Sequence, residues 1–462
     1  MTKPNEVLTA AQMRAAEDQA IARGTSVEKL MQRAGEGAAE WVWRISGGQS
    51  VTVLCGPGNN GGDGYVLAEA VRRKGGNVRV VAPMAPATDA AKAARAAYGG
   101  EIVAPEGCEG AVFVDCLFGT GLSRPIAADL MALLVGLAKR HRHAVATDLP
   151  SGVATDSGDL LQPGLPHFDA TIALGAWKPS HWLMPSMALM GERRLVEIGI
   201  AALTDAAMLL ERPRLHAPKR DAHKYTRGLV LVVGGRLPGA SLMACEAAMR
   251  AGAGAVRLAG AVPAHVSPDI IVRGEPLADQ LADKRTSAVL VGPGLGTDGE
   301  AERCLAEVLE AGHAIVIDAD ALTLLKPAML SKPGPRILTP HEGEMKRLLN
   351  SFGLKGDTKP QRALVLAEAA QAVVVAKGPD TVIAAPDGRL CYAPSTTSWL
   401  SVAGTGDVLA GITASRLAAT GDPFRAACEA VWLHGEAARL AGPAFVASDL
   451  PAWVSTAIAE AL

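Results

Sequence analysis

The sequence predicts an α/β protein made of two successive domains, each built around a parallel sheet. Three observations carry the prediction. Short β-branched or apolar runs alternate with helix-compatible stretches twice, over residues 51–174 and again over 229–376. Between the two series, residues 210–221 hold Arg212, Pro213, Arg214, Pro218, Lys219 and Arg220 with no hydrophobic period. The composition is 49% hydrophobic but 4% aromatic, with 50 glycines in 462 residues, which suits buried strands joined to Ala-rich helices by glycine turns.

Taken in order, Thr9 is placed to cap a first helix running toward Arg23. Ser26 caps a second, whose Val27, Leu30, Met31, Ala34, Ala38, Trp41, Val42 and Ile45 follow helical spacing. Two helices thus precede the strands, which are expected at 51–55, 78–82, 112–115, 144–148 and 170–174, with helices between them as at 66–73 and 130–139. The rhythm restarts with strands at 229–233, 255–258, 288–291, 314–318, 336–338 and 373–376, and the chain ends in helices after Gly404. The expected division is a first domain over 1–207, a linker over 208–222 and a second domain over 223–462. No self-repeat of solenoid period is visible, so the pattern is that of a fusion.

Lys and Arg total 45 against 47 Asp and Glu, a formal charge of −2, so no basic field is available for a nucleic-acid backbone or an anionic membrane. The seven cysteines show no C-x-x-C spacing and leave one over, which argues against a disulfide framework or a zinc site. The opening residues lack a signal-peptide pattern and the apolar runs stop short of a membrane span. The expectation is a cytoplasmic enzyme acting on small molecules, with Ala-rich helices suited to a homo-oligomer. His141 and His143, with no partner motif, are read as solvated surface.

Directly after the run 51–55 comes Gly56-Pro57-Gly58-Asn59-Asn60-Gly61-Gly62-Asp63-Gly64. So many glycines cost chain entropy unless the backbone takes positive φ or closely approaches a ligand. A strand, glycine loop and helix start together form an anion-binding geometry, yet the Gly-Lys-Ser/Thr ending of a P-loop is missing. Asp115-Cys116-Leu117-Phe118-Gly119-Thr120-Gly121-Leu122 and Asp148-Leu149-Pro150-Ser151-Gly152 follow later strands, at the ends where α/β folds place ligands. A lone Asp in either place would more often be a cap or loop residue. Three such loops in one domain point to a site.

These motifs resemble the NAD(P)H-hydrate epimerase family, the YjeF N-terminal domain, over roughly residues 8–205. The resemblance implies a Rossmann-like three-layer domain. It implies oxygen ligands to a K+ ion from Asn60, Asp115 and Ser151, which suits a hard cation. It also places Asn59, Asn60, Gly61, Gly62 and Asp63, with Gly119, Thr120, Gly121, Leu122, Ser123, Arg124 and Pro125, against the hydrate, and Asp148 beside its nicotinamide-derived ring as the acid/base residue.

Near the other end, Gly404-Thr405-Gly406-Asp407 opens an apolar helix. Successive backbone N–H groups there can form an anion hole, with Asp407 where a substrate hydroxyl meets a transferring phosphoryl group. Val291-Gly292-Pro293-Gly294-Leu295-Gly296, Asp318-Ala319-Asp320-Ala321-Leu322, Thr339-Pro340-His341-Glu342-Gly343-Glu344 and Lys377-Gly378-Pro379-Asp380-Thr381 precede it in order. Singly each is weak; the ordered set resembles the NAD(P)H-hydrate dehydratase family of the ribokinase-like superfamily, from about His223 to the end.

That resemblance implies nucleotide contacts, to ADP or ATP, from Lys377, Gly378, Pro379, Asp380, Thr381 and Gly406. Hydrate contacts are implied from Ala240, Gly296, His341 and Asp407, with Asp407 as catalytic base. Mg2+ is expected with the nucleotide, and Glu344 lies in a motif that could organise it. The implied activity is interconversion of the R and S forms of the NADH and NADPH hydrates (NADHX, NADPHX) and ADP- or ATP-dependent dehydration of the S form. The run 395–401, Ser-Thr-Thr-Ser-Trp-Leu-Ser, departs from the Gly-, Asn- and Met-rich run of many family members. The alternative readings are a ribokinase-like small-molecule kinase with a non-catalytic N-terminal binding domain, and a scaffold.

Overall fold

The computed structural model describes residues 4–462. The chain divides into two compact units, Met1–Met208 and Leu209–Leu462. In the first, β1 (Glu6–Val7) leads into α1 (Ala10–Ala22) and α2 (Val27–Ser46). Thr9 accepts from the backbone of Gln12 while the Gln12 side chain returns to the Thr9 N–H, and Ser26 caps α2 in the same sense. There follow β2 (Val51–Cys55), α3 (Asn59–Arg73), β3 (Val78–Val81), α4 (Asp89–Ala97), β4 (Gly110–Cys116), α5 (Ala128–Arg140), β5 (His141–Thr147), β6 (Ala170–Leu174) and β7 (Glu192–Val196). Strands β2 to β7 form a parallel sheet in the order β3-β2-β4-β5-β6-β7. A short β8 (Ala207–Leu209) pairs antiparallel with β1.

Alternation along the strands sorts the core into two faces. Val51, Val53, Cys55, Val112, Val114 and Val145 pack with Leu30, Ala34, Ala38 and Val42 of α2. Leu54, Phe113, Ala144 and Ala146 join Leu134 and Leu137 of α5 in a separate cluster. Helices on both faces of one sheet give the three layers. The chain reverses direction across the sheet between β3 and β4, on either side of β2, so the loops after β2 and β4 open together at the carboxyl edge.

In the second unit come β9 (Leu229–Val233), α6 (Pro238–Arg250), β10 (Ala255–Ala259), β11 (Ile270–Val272), α7 (Leu277–Leu281), β12 (Thr286–Val291), α8 (Gly299–Glu310), β13 (Ile315–Ile317), α9 (Ala319–Leu324) and β14 (Arg336–Leu338). They are followed by α10 (Glu342–Phe352), α11 (Lys359–Ala370), β15 (Val373–Ala376), β16 (Val382–Ala384), β17 (Leu390–Tyr392), α12 (Thr405–Thr420), α13 (Pro423–Ala441) and α14 (Leu450–Ala461). The strand order is β17-β16-β15-β14-β13-β12-β9-β10-β11, with only β16 and β17 antiparallel to their neighbours. This is the ribokinase-like arrangement.

One sequence expectation is corrected here. His141 is buried: Nδ1 bonds to the Leu137 carbonyl at 2.7 Å and Nε2 to Thr52 Oγ1 at 2.9 Å, because β5 begins directly at the end of α5 and turns the ring under the sheet. Within residues 208–222, Leu210 donates to the Tyr392 carbonyl and Leu215, 4% exposed, to that of Ala461, so this stretch is tied down at two points. Among the described residues no helix is long and apolar enough to cross a membrane, and all seven cysteines are unpaired.

Candidate functional sites

In the first unit, residues 59–63 form the start of α3 instead of a loop before it. The glycine at 61 is a steric necessity: a Cβ there would lie 1.9 Å from the Gly56 carbonyl oxygen. This close winding turns Asn60 inward, and both its amide oxygen and nitrogen are buried without a hydrogen-bond partner among the described residues. Asp115, at the end of β4, is fully buried. Its Oδ1 accepts from Leu117 N (3.0 Å) and Ser151 Oγ (2.8 Å), and its Oδ2 from Ser151 N (2.8 Å). Burial raises the Asp115 carboxyl to about 6, against the pull of those donors.

Asp148 follows β5 with φ 63°, a left-handed conformation that a non-glycine residue holds only when its surroundings enforce it. Here they do. Lys178 Nζ, 1% exposed at the side chain, donates to Asp148 Oδ1 at 2.5 Å, and Thr120 donates to Oδ2 through both N (2.8 Å) and Oγ1 (2.6 Å). Burial alone would raise this carboxyl, but Lys178 and Thr120 outweigh it and hold it below the usual carboxylate range. Behind it, His181 Nδ1 accepts from Lys178 N, so Nε2 carries the proton and donates to the Asp148 carbonyl at 2.8 Å. Burial, with Lys178 nearby, pushes the His181 ring down to about 3.

Asn60, Thr120, Asp148 and Lys178 open on a cavity of about 610 Å³, whereas Asp115, Ser151 and His181 are not in its lining. Of the residues singled out from the sequence, Asn59, Asn60, Asp63, Gly119, Thr120, Gly121, Leu122 and Asp148 line it. Gly61 and Gly62 lie beneath, Gly62 against Met31, while Ser123, Arg124 and Pro125 are exposed beyond its wall. Lys178 and the α1 face of Met13, Glu17 and Ile21 line it too and were missed. The four-residue spacing of that face was a usable signal; a lone lysine before Pro179 was not.

In the second unit, Asp318, Thr339 and Lys377 sit just beyond β13, β14 and β15, neighbouring parallel strands. Lys377 Nζ and Thr339 Oγ1 both donate to Asp318 Oδ1 at 2.7 Å, and Glu344 Oε2 stands 3.9 Å from Lys377. Burial would lower the Lys377 ammonium, but Asp318 and Glu344 hold it above its ordinary range. Gly404, with φ 94°, turns the chain into α12, and a Cβ at Gly406 would lie 3.6 Å from Lys377 Nζ, so the helix start meets this cluster. Asp407 is raised to about 6, by burial first and then by Asp318, with Lys377 opposing.

His341 caps α10, its Nδ1 accepting from Gly343 N at 2.9 Å, while the rest of the side chain stays exposed. Gly296 N donates to Asp320 Oδ2, and Ala240 lies in the first turn of α6, near the carboxyl end of β9. In the 377–381 turn, Thr381 Oγ1 closes on Gly378 and Asp380 is held by Lys359, a partner the sequence did not disclose. Residues 398–400 form a 3-10 turn leaving Trp399 half exposed.

A Rossmann-like unit and a ribokinase-like unit, each with buried acids and a lysine at its carboxyl edge, define a two-site α/β enzyme. The family model described as YjeF-related protein N-terminus matches residues 27–180, and that described as NAD(P)H-hydrate dehydratase matches 230–460. A bifunctional NAD(P)H-hydrate repair enzyme of Gloeobacter violaceus is 33% identical over 93% of this chain and 92% of its own. One of Coxiella burnetii is 35% identical over 92% and 93%. Among solved structures, an ADP/ATP-dependent NAD(P)H-hydrate dehydratase from Bacillus subtilis, co-crystallized with ATP/Mg2+, is 30% identical over 54% of this chain and 95% of its own, with a TM-score of 0.47. The chain belongs to the family of bifunctional NAD(P)H-hydrate repair enzymes.

Proposed function

We propose that the first unit interconverts the R and S hydrates of NADH and NADPH, and that the second dehydrates the S form with ADP or ATP. The observation that carries the second activity is Asp407, in no ion pair with a described residue and raised to about 6 at the start of α12. A base of that range accepts a proton near neutral pH without being locked as a salt. It takes the proton of the ring hydroxyl as the oxygen attacks the terminal phosphate; loss of phosphate, assisted by the ring nitrogen, then restores the dihydropyridine. The 377–381 turn and Gly406 are the proposed nucleotide contacts, and Gly296 and His341, with Ala240 across the strand ends, the proposed hydrate contacts. Glu344 is the proposed carboxylate for Mg2+, which would neutralise phosphate charge.

In the first unit, the orphaned Asn60 amide and the Asp115–Ser151 pair supply amide, carboxylate and hydroxyl oxygens, donor types that fit K+, and these three residues are its proposed ligands. The ion would hold the loops after β2, β4 and β5 in register, while Asp148 stands ionised against the bound ring. The residues of 59–63 and 119–125, including the exposed Ser123, Arg124 and Pro125, complete the proposed hydrate contacts. The reading includes a cytoplasmic setting, to which unpaired cysteines are suited, and a homo-oligomer.

The test is recovery of reduced-nicotinamide absorbance from mixed-epimer NADH hydrate with ADP or ATP and Mg2+, on the whole chain and on Asp407→Asn. Full recovery with phosphate release, lost in the variant by about 10²-fold or more, is expected. A stable phospho-ester and no recovered absorbance would instead mark a small-molecule kinase.

A further inference from the structure

Of the acids lining the first cavity, Glu17, Asp18 and Asp63 are in no hydrogen bond or ion pair with a described residue, and of these three Asp63 alone is buried. It is 9% exposed, lines the cavity, and makes no hydrogen bond or ion pair with any described residue. Asp148, lining the same cavity, has both oxygens engaged by three donors, two from Thr120 and one from Lys178. A carboxylate taken out of water without donors is unstable as an anion, so the two groups divide the charge between them. Burial, then Asp148 and Glu17, pushes the Asp63 carboxyl well above its ordinary range, with Lys178 opposing. The other charged side chains facing this space are Glu17, itself raised by burial, with Arg14 and Asp18 of α1. Two acids in one cavity with opposed displacements are the arrangement that separates a proton donor from a proton acceptor.

We infer that Asp63 is the catalytic proton donor of the first site, paired with Asp148 as the acceptor. The inference rests on the epimerase reading above. Asp148 accepts the proton of the ring hydroxyl; the C–O bond becomes a carbonyl as the bond between that carbon and the ring nitrogen breaks. The nitrogen keeps the electron pair and receives the Asp63 proton. After rotation about the neighbouring C–C bond, the nitrogen attacks the opposite face of the aldehyde. It returns its proton to Asp63, and the new alkoxide takes back the one on Asp148. Both residues and the substrate composition are unchanged, and only the configuration at one carbon is inverted.

The experiment supplies the full chain with purified R hydrate or purified S hydrate of NADH, each with ADP and Mg2+, and reads recovered absorbance. For Asp63→Asn, kcat for R recovery is expected to fall about 10²-fold or more, to the spontaneous rate, with a far smaller change in KM for the R hydrate, and S recovery within twofold of the parent. Asp63→Ser, which leaves space where Asn leaves an isostere, is expected to show the same loss. R recovery within threefold of the parent in either variant overturns the inference, as does a raised KM with unchanged kcat. If the parent itself does not accelerate R recovery while it consumes S, the epimerase reading fails instead.

Discussion

Both units bury a lysine–aspartate pair at the carboxyl edge of a parallel sheet, but they spend it differently. In the first, Lys178 is bonded to Asp148, the candidate catalytic carboxylate itself, and holds it ionised. In the second, Lys377 is bonded to Asp318, a neighbour, and Asp407 is left unpaired and raised to about 6. One site therefore keeps an acceptor that is ionised at rest, while the other keeps a base whose resting charge turns over near neutral pH. The contrast matches the proposed chemistries: epimerisation needs an acceptor balanced by a separate donor, whereas phosphoryl transfer needs one base and a cationic environment for phosphate.

The largest effect is expected from breaking the first pair. Lys178→Met strands Asp148 in a buried site, and removing one partner of such a pair costs about 3–5 kcal/mol. Denaturant unfolding of the whole chain should show the first unit melting earlier, with R-hydrate recovery lost and S-hydrate recovery kept. The sign with pH follows from the direction of the shift. The folded Asp148 lies below its unfolded value, so its stabilisation is present above the ordinary Asp range, near ~3.9, and is lost as the pH falls through the lower folded value. The gap between parent and variant should therefore narrow in acid. A gap that stays constant down to the acid limit would mean that the ion pair is not its source.

The second unit sharpens the comparison through its pH dependence. Asp407 must be ionised to accept the hydroxyl proton, and its value is raised to about 6 by burial first, then by Asp318, with Lys377 lowering it and Asp320 raising it. The kcat/KM for S-hydrate dehydration should be flat above neutrality and fall about tenfold for each unit below pH 6. A profile whose acid limb lies near 4 would show that the base is an ordinary exposed carboxylate and would remove Asp407 from that role.

How much of this was legible depended on whether a residue announces its environment. The 56–64 run did, because glycines that dense must answer to a close approach, as Gly61 against Gly56 does. The long strands were readable from their uniform apolar character. The three-residue strands β16 and β17 offered too little pattern, and β7, reading Glu-Arg-Arg-Leu-Val, sits at the sheet edge with Glu192 and Arg194 exposed and Arg193 turned onto Trp182. Lys178 and Lys359 were missed because a single charged side chain carries no local trace of a partner 30 or 21 positions away, Asp148 for Lys178 and Asp380 for Lys359, and Glu17 gave no sign of the buried cavity it faces. His141 was misread for the same reason, since Thr52 lies 89 residues earlier. The 59–63 and 119–125 motifs were found as blocks, but only the structure separates the residues facing the cavity from Gly61, Gly62 and Ser123 to Pro125.

The smallest expected effect compares the two threonines that support the two aspartates. Thr339 Oγ1 donates to Asp318 Oδ1 from a fully buried position, whereas Thr120 Oγ1 donates to Asp148 Oδ2 beside a second donor, its own backbone N–H. Replacing Thr339 by Val removes a hydrogen bond to a charged group without changing shape, a loss of about 1.5 kcal/mol, while Lys377 still holds Asp318. Thr120→Val should cost less, because the backbone N–H keeps Oδ2 satisfied and the loop is only half-buried. Urea unfolding of both variants decides the order. If Thr120→Val were the more damaging, the Asp148 carboxylate would depend on its hydroxyl donor more than on Lys178, and the resting charge of the first site would have a different origin from the one assigned to it.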